Sequence, residues 1–253
     1  MSVDHPTYPN PTIQEAICEI HFRLPGDAPW NPAFAGELFK KIQSDFPHFE
    51  PAATMGVQLE VGPAGMTQRM LPILPRMQFR HRERPLLRQL SPFVMTVNVL
   101  PKYPGWATVL EDIMAGWRDA VAVTEASAVR RIGLRYIDRI DRTRPDEPPG
   151  DWIAPSDYIP QYVLSSLPGF LSRLEARPAE EDRVIITLGE VAGTADQPGA
   201  FMLDIDCIVE KSISADDEVA LRAEINRLHG RCWEAFQASL TPRYLKRLEE
   251  GAQ

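Results

Sequence analysis

The sequence predicts an α+β fold in which one curved, mainly antiparallel sheet carries its helices on one face, built from two β-α-β-β-β-α units in a pseudo-duplication. Two observations predict it. Segments that alternate apolar and polar residues, as a strand with one buried face must, open two successive series of strand, helix, three strands and helix. The 24 prolines gather at the joints between these segments, at Pro72 and Pro75 or at Pro145, Pro148 and Pro149, where a fixed φ and a missing donor punctuate elements. A unit of this order pairs its strands antiparallel and lays its helices on one side.

The first strand is read from Ala16, Cys18, Ile20, Phe22 and Leu24, which alternate with Glu15, Ile17, Glu19, His21 and Arg23. After the turn Pro25-Gly26-Asp27, Asn31 caps a helix whose first residue is Pro32, with Phe34, Leu38 and Ile42 at helical spacing and an end before Pro47. Strands are expected over residues 55–61 and 77–84 and at Phe93, Met95, Val97 and Val99, with the Gly- and Pro-bearing stretch after the first read as a long loop or irregular edge. Gly105-Trp106 then leads into a helix lined by Leu110, Ile113, Met114, Trp117 and Val121.

The series restarts at residues 130–140, where Ile132, Leu134 and Tyr136 take one face, Arg131, Arg135 and Arg139 the other, and Asp138 is placed beside the arginines. A short helix is expected within residues 158–167, confined by Pro160, and strands over 170–176, 184–188 and 201–209. Ser214 caps the last long helix, Asp217 complements its positive end, and Leu221, Ile225, Leu228, Cys232, Phe236 and Leu240 form its stripe. Thr241-Pro242 starts a short terminal helix. The chain is thus expected to be one domain, residues 1–253, made of halves 14–126 and 129–250. At the level of shape this arrangement resembles the pseudo-symmetric TATA-binding-protein-like architecture, which does not by itself imply DNA binding.

Composition narrows the function classes. With 44% apolar and 25% charged residues the 253-residue chain is an ordinary globular one. A net charge of −8 opposes long-range attraction to phosphate backbones, so nucleic acid is a disfavoured partner. No apolar stretch approaches a membrane span, the start Met1-Ser2-Val3-Asp4-His5-Pro6 lacks the features of a signal peptide, and a cytoplasmic location is expected. Cys18, Cys207 and Cys232 are widely spaced among apolar neighbours and read as core.

Three motifs, residues 8–16 (Tyr-Pro-Asn-Pro-Thr-Ile-Gln-Glu-Ala), 131–140 around Gly133-Leu134-Arg135-Tyr136, and 236–241 (Phe-Gln-Ala-Ser-Leu-Thr), resemble a sporadically distributed family of uncharacterised bacterial proteins of about this length. The resemblance implies a full-length, stand-alone bacterial protein and supplies no activity and no catalytic residues. Asp138 stands where Asn is expected to be commoner in that family.

Two charged strand faces are the candidate sites. Glu19, His21 and Arg23 project together from the first strand; they are similar to the alternating strand of triphosphate-tunnel enzymes, except that a His and an Arg replace the second Glu and the Lys. Arg131, Arg135 and Arg139 repel one another unless paired, and their forked donors suit carboxylate or phosphate. Asp204 and Asp206, opposite Phe201, Leu203, Ile205 and Cys207, are their expected cross-strand partners. Those arginines argue against Asp204, Asp206 and Glu19 as a metal site, His229 and Cys232 lack two further ligands, and no cofactor or metal is expected. His229 is read as polar helix surface, and Trp106, Trp117, Trp152 and Trp233 as core anchors.

The expected function is therefore a non-enzymatic binding or interaction protein. It would hold a protein or a small anionic ligand on its polar sheet face or between its halves, with a homo-oligomer possible through a free sheet edge. The alternative is an enzyme on a phosphorylated or other anionic substrate, with Arg135 and Arg139 holding the anion and Glu19 or His21 as general acid or base.

Overall fold

A computed structural model describes residues 8–9, 11–52, 56–62, 65–71, 76–144, 146–156, 159–165, 171–191 and 199–250, with the backbone alone at residue 52 and over 56–62 and 65–71. In chain order the first half contains β1 (Ile13–Arg23), α1 (Phe34–Ile42), β2 (His48–Ala52), β3 (Gly56–Gly62), β4 (Gly65–Leu71), β5 (Arg76–Arg80), β6 (Leu86–Ser91), β7 (Val94–Val99) and α2 (Trp106–Thr124). The second half contains β8 (Ala128–Asp141), α3 (Gln161–Leu164), β9 (Leu171–Ala179), β10 (Asp182–Val191), β11 (Ala200–Ser214), α4 (Glu218–Ser239) and α5 (Pro242–Glu250).

The fold is α+β. Nine strands form one curved sheet in the order β2-β5-β6-β7-β1-β8-β11-β10-β9, and every neighbouring pair is antiparallel. From the central β1–β8 pair, strands succeed one another in reverse chain order on one side (β7, β6, β5, β2) and on the other (β11, β10, β9). The alternation seen in the sequence explains the central pair: Ile20 faces Ile132 and Cys18 faces Leu134, each at most 1% exposed. Phe22, Met95, Leu203 and Ile205 extend the same apolar surface, onto which α2 and α4 press Trp117, Met114, Ile225 and Leu228. Each such side chain, removed from water, contributes roughly 1.5–3 kcal/mol.

Several elements differ from expectation for physical reasons. Residues of β6 are buried on both faces, so the period-2 signal that reveals a half-buried strand is lost in Leu86-Leu87-Arg88-Gln89-Leu90-Ser91. β2 is a short edge strand containing Pro51, which is tolerated where no neighbour needs its N–H. The strand expected at 55–61 is β3, which pairs with β4 in a separate two-stranded sheet, so the stretch read as a loop holds a strand; Met55 lies outside the described residues. The helix expected within 158–167 is the single turn of α3, and residues 158, 166 and 167 lie outside the description.

Caps move as well. The Asn31 carboxamide accepts from the Ala33 N–H at 2.9 Å, but it caps a turn, and α1 starts at Phe34. For α4 the capping residue is Asp217, whose carboxylate accepts from the Ala220 N–H at 2.9 Å, while the Ser214 hydroxyl ends β11 and donates to Asp216. Asp217→Ala is therefore expected to lower stability by about 1 kcal/mol, read as a reduced urea midpoint. An unchanged midpoint would show the cap to be idle.

Candidate functional site on the helix-free face

The helices occupy one face of the sheet, and the alternate residues of every strand project from the other. In β1 these are Glu15, Ile17, Glu19, His21 and Arg23; in β8 they include Arg131, Gly133, Arg135, Ile137 and Arg139. The antiparallel register places His21 opposite Arg131, Glu19 opposite Gly133 and Ile17 opposite Arg135. Asp204 and Asp206 reach the same face from β11, with Asp206 opposite Arg135.

On the first-half side, a polar chain crosses four strands. Arg76 donates to Glu19 and to Gln89, each at 3.4 Å; Gln89 donates to Asn98 at 2.9 Å, and Asn98 to Glu15 at 2.7 Å. Glu19 also meets His21 Nε2 at 3.4 Å. The bond to His21 is the main reason that the Glu19 carboxyl is held below its ordinary range, with the Arg76 and Arg131 charges adding to it. Gln89 and Asn98 are buried within this chain. Arg23 stands apart, exposed at the end of β1 beyond a register shift between His21 and Phe22.

The three arginines behave differently. Arg135 grips Asp204 with both prongs, Nε to Oδ1 at 2.7 Å and Nη2 to Oδ2 at 2.6 Å, and this bond chiefly raises its pKa. Arg139 pairs along its own strand with Asp141 at 2.7 Å instead of across to Asp204 or Asp206. Arg131 is half-buried, and its Nε is shielded from solvent with no hydrogen-bond partner among the described residues.

Asp206 lies beside Gly133: a Cβ built on that glycine would sit 3.8 Å from Asp206 Oδ1 and 3.9 Å from the Ile208 side chain. Burial pushes the Asp206 carboxyl up to about 6, against the lowering pull of Arg135 and Arg131. Gly133 is thus a position without a side chain of its own at the sheet centre, bordered by Glu19, Arg131, Arg135, Asp206 and Ile208, the last two within van der Waals contact of where a Cβ would sit. Glycine inside a strand is the residue that lets another group approach the backbone closely.

Sequence reasoning brought Glu19, His21, Arg131, Arg135, Asp204 and Asp206 to one face. It missed Arg76 and Asn98, whose only signal was polar alternation in β5 and β7, Gln89, which lies in the doubly buried β6 where no alternation marks it, and Gly133, whose signal was a glycine amid apolar strand residues. Asp138, placed beside the arginines by sequence, instead shares the core face with Leu134 and Tyr136; it is 2% exposed and accepts from the Thr12 hydroxyl at 2.7 Å. His229 is likewise not plain surface. Its ring stacks on Trp106 at 3.9 Å and 11°, and its Nδ1 lies 3.2 Å from the Tyr136 hydroxyl, which meets Tyr103 at 3.1 Å.

Cys18, Cys207 and Cys232 are buried free thiols. Among the described residues no group of three or more His, Cys, Asp or Glu side chains is arranged to hold a metal ion, and no helix is long and apolar enough to cross a membrane. Compared with family models, curated proteins and solved structures, the chain matches none.

Proposed function

We propose that the protein is a non-catalytic binding module that receives a small anionic ligand on the helix-free face, over Gly133 and against Arg131. The observation that carries this reading is the shielded Arg131 Nε, which has no hydrogen-bond acceptor among the described residues, beside Gly133, which carries no side chain of its own. A guanidinium N–H shielded from water and without an acceptor is a donor ready for an incoming carboxylate or phosphate oxygen. Arg135 and Arg139, which the enzyme alternative needs for its substrate, are already engaged by Asp204 and Asp141. Glu19, its candidate acid or base, is held ionised by His21 and Arg76 and is poorly suited to proton transfer near neutrality.

The test is a thermal-shift series with inorganic phosphate, sulfate and small dicarboxylates against wild type, Arg131→Gln and Gly133→Val. A ligand at a hundred times its Kd stabilises the native state by about 2.7 kcal/mol, enough for a clear rise in midpoint. The rise is expected for wild type and is expected to vanish in both variants. An equal rise in Arg131→Gln sinks the proposal.

We also infer that the halves are copies of one unit, as in TATA-binding-protein-like shapes. Support comes from the strand order, which runs outward from the β1–β8 pair in reverse chain order on either side, over four strands on the first-half side and three on the other. A cytoplasmic, bacterial setting is part of the same reading, supported by three buried thiols left unpaired and by the motif resemblance.

A further inference from the structure

The two edges of the nine-stranded sheet are unlike. One is β2, five residues long with Pro51 inside it. The other is β9, nine residues long, which pairs with β10 on one side and is exposed or half-exposed along its whole length. Its Pro178 lies near its end, so the stretch from Leu171 to Arg177 keeps every backbone donor. A strand of this kind is a template for another strand unless it is protected.

The side chains of β9 select the occupant. Arg173 and Glu175 project from the helix-free face and flank Leu174, which projects toward the helices. If a second β9 runs antiparallel about a twofold axis through Leu174, Arg173 of each copy stands opposite Glu175 of the other. Leu174 then meets its own equivalent, and Ser172 stands opposite Ala176. Moving the axis to Arg173 sets two guanidiniums together, and moving it to Glu175 sets two carboxylates together. The axis through Leu174 keeps both helix layers on one side of a continuous sheet.

The neighbourhood favours such an extension. Glu175 is 44% exposed and has a distant bond of 3.5 Å from Arg183, leaving its other oxygen for a second donor. On the helix side Val184 and Ile186, opposite Ala176 and Leu174 on β10, are half-buried apolar residues at the margin of the core. Leu171, 76% exposed, would lie against the stem of the second copy's Arg177.

We infer that the protein forms a twofold dimer by antiparallel pairing of β9 with β9 of a second copy, in the register that sets Arg173 against Glu175. The pairing is self-complementary, as an isologous interface must be. Its charge pairs fix register, since like charges directly opposite one another destabilise a strand pair.

The experiment is sedimentation velocity over a concentration series on wild type, Arg173→Glu, Glu175→Arg and the double exchange Arg173→Glu/Glu175→Arg. Wild type and the double variant are expected to dimerise alike. Each single reversal, which sets two like-charge pairs across the interface, is expected to weaken the dimer about tenfold or more. Circular dichroism checks that the variants fold; if a single variant does not, recovery of the dimer in the double variant decides. A wild type that stays monomeric at every concentration overturns the inference, as does a dimer indifferent to the single reversals or one that the double exchange fails to restore.

Discussion

Asp138→Asn is expected to stabilise the protein at pH 8 by up to about 4 kcal/mol and to flatten its stability between pH 4 and 7. Asp138 is 2% exposed on the core face of β8, and burial pushes its carboxyl up to about 7, with only the Thr12 hydroxyl bond opposing. In the unfolded chain an aspartate titrates near ~3.9. Between these values the native state holds a proton that the unfolded state has released. The contribution of Asp138 is therefore fully present below about pH 4 and is lost as pH rises through the folded value, a change of ~4 kcal/mol.

Asparagine keeps an oxygen for Thr12 and carries no charge to desolvate. Its amide adds a donor, and an unmet donor costs about 1–3 kcal/mol, which sets the lower end of the gain. Tyr103, Tyr136 and Tyr244 are near enough to feel the Asp138 charge and supply hydroxyls around it. Urea denaturation of both proteins at pH 5, 6, 7 and 8 measures the effect. A variant less stable than wild type at pH 8, or one with the same slope against pH, refutes it.

Glu190→Ala is expected to cost about 3–5 kcal/mol. The Arg142 and Glu190 side chains are each 5% exposed and meet at 2.5 Å on the helix side of the sheet, with the guanidinium also 4.6 Å from the Phe201 ring centroid. Arg142 Nε and Nη2 have no hydrogen-bond partner among the described residues. Removing Glu190 leaves a buried charge without its counter-ion in a low-dielectric setting. Removing both charges is different: Arg142→Met/Glu190→Leu is expected to lie near wild type or above it, because well-packed apolar groups avoid the desolvation of two ions. Guanidinium denaturation of the three proteins tests the pair, and a single variant within about 1 kcal/mol of wild type would show that water reaches the site.

How much was legible depended on whether a residue's surroundings repeat with the period of its own element. β1 and β8 were legible because one face is buried and the other is polar, so Cys18, Ile20, Leu134 and Tyr136 sorted from Glu19, His21, Arg131 and Arg135 by alternation alone. β6 was not, because burial on both faces erases the alternation. Parity also placed Asp138 on the core face, but its charge suggested the polar one, and nothing local reveals a carboxyl that burial makes harder to ionise. In the candidate site the residue types were visible, and so was the cross-strand pairing of Arg135 with Asp204, but the other pairings were not. Arg139 chose Asp141 over the cross-strand aspartates, and Arg76 came to Glu19 from a strand more than fifty residues away in the chain.

Local patterns in the chain were enough for the α+β class, the two opening strands β1 and β8, the apolar stripes of α2 and α4, and the shared face of the charged residues. These follow from periodicity and capping, which act over a few neighbouring residues. The folded chain was needed to show that β1 and β8 sit side by side at the sheet centre, that Gly133 lies between Glu19 and Asp206, that Arg131 Nε is shielded while Arg135 is paired, and that β9 is the long edge strand, paired on one side only among the described residues. Each of these depends on strand order and register between segments far apart in the chain, and on which charges lose their water when the strands meet.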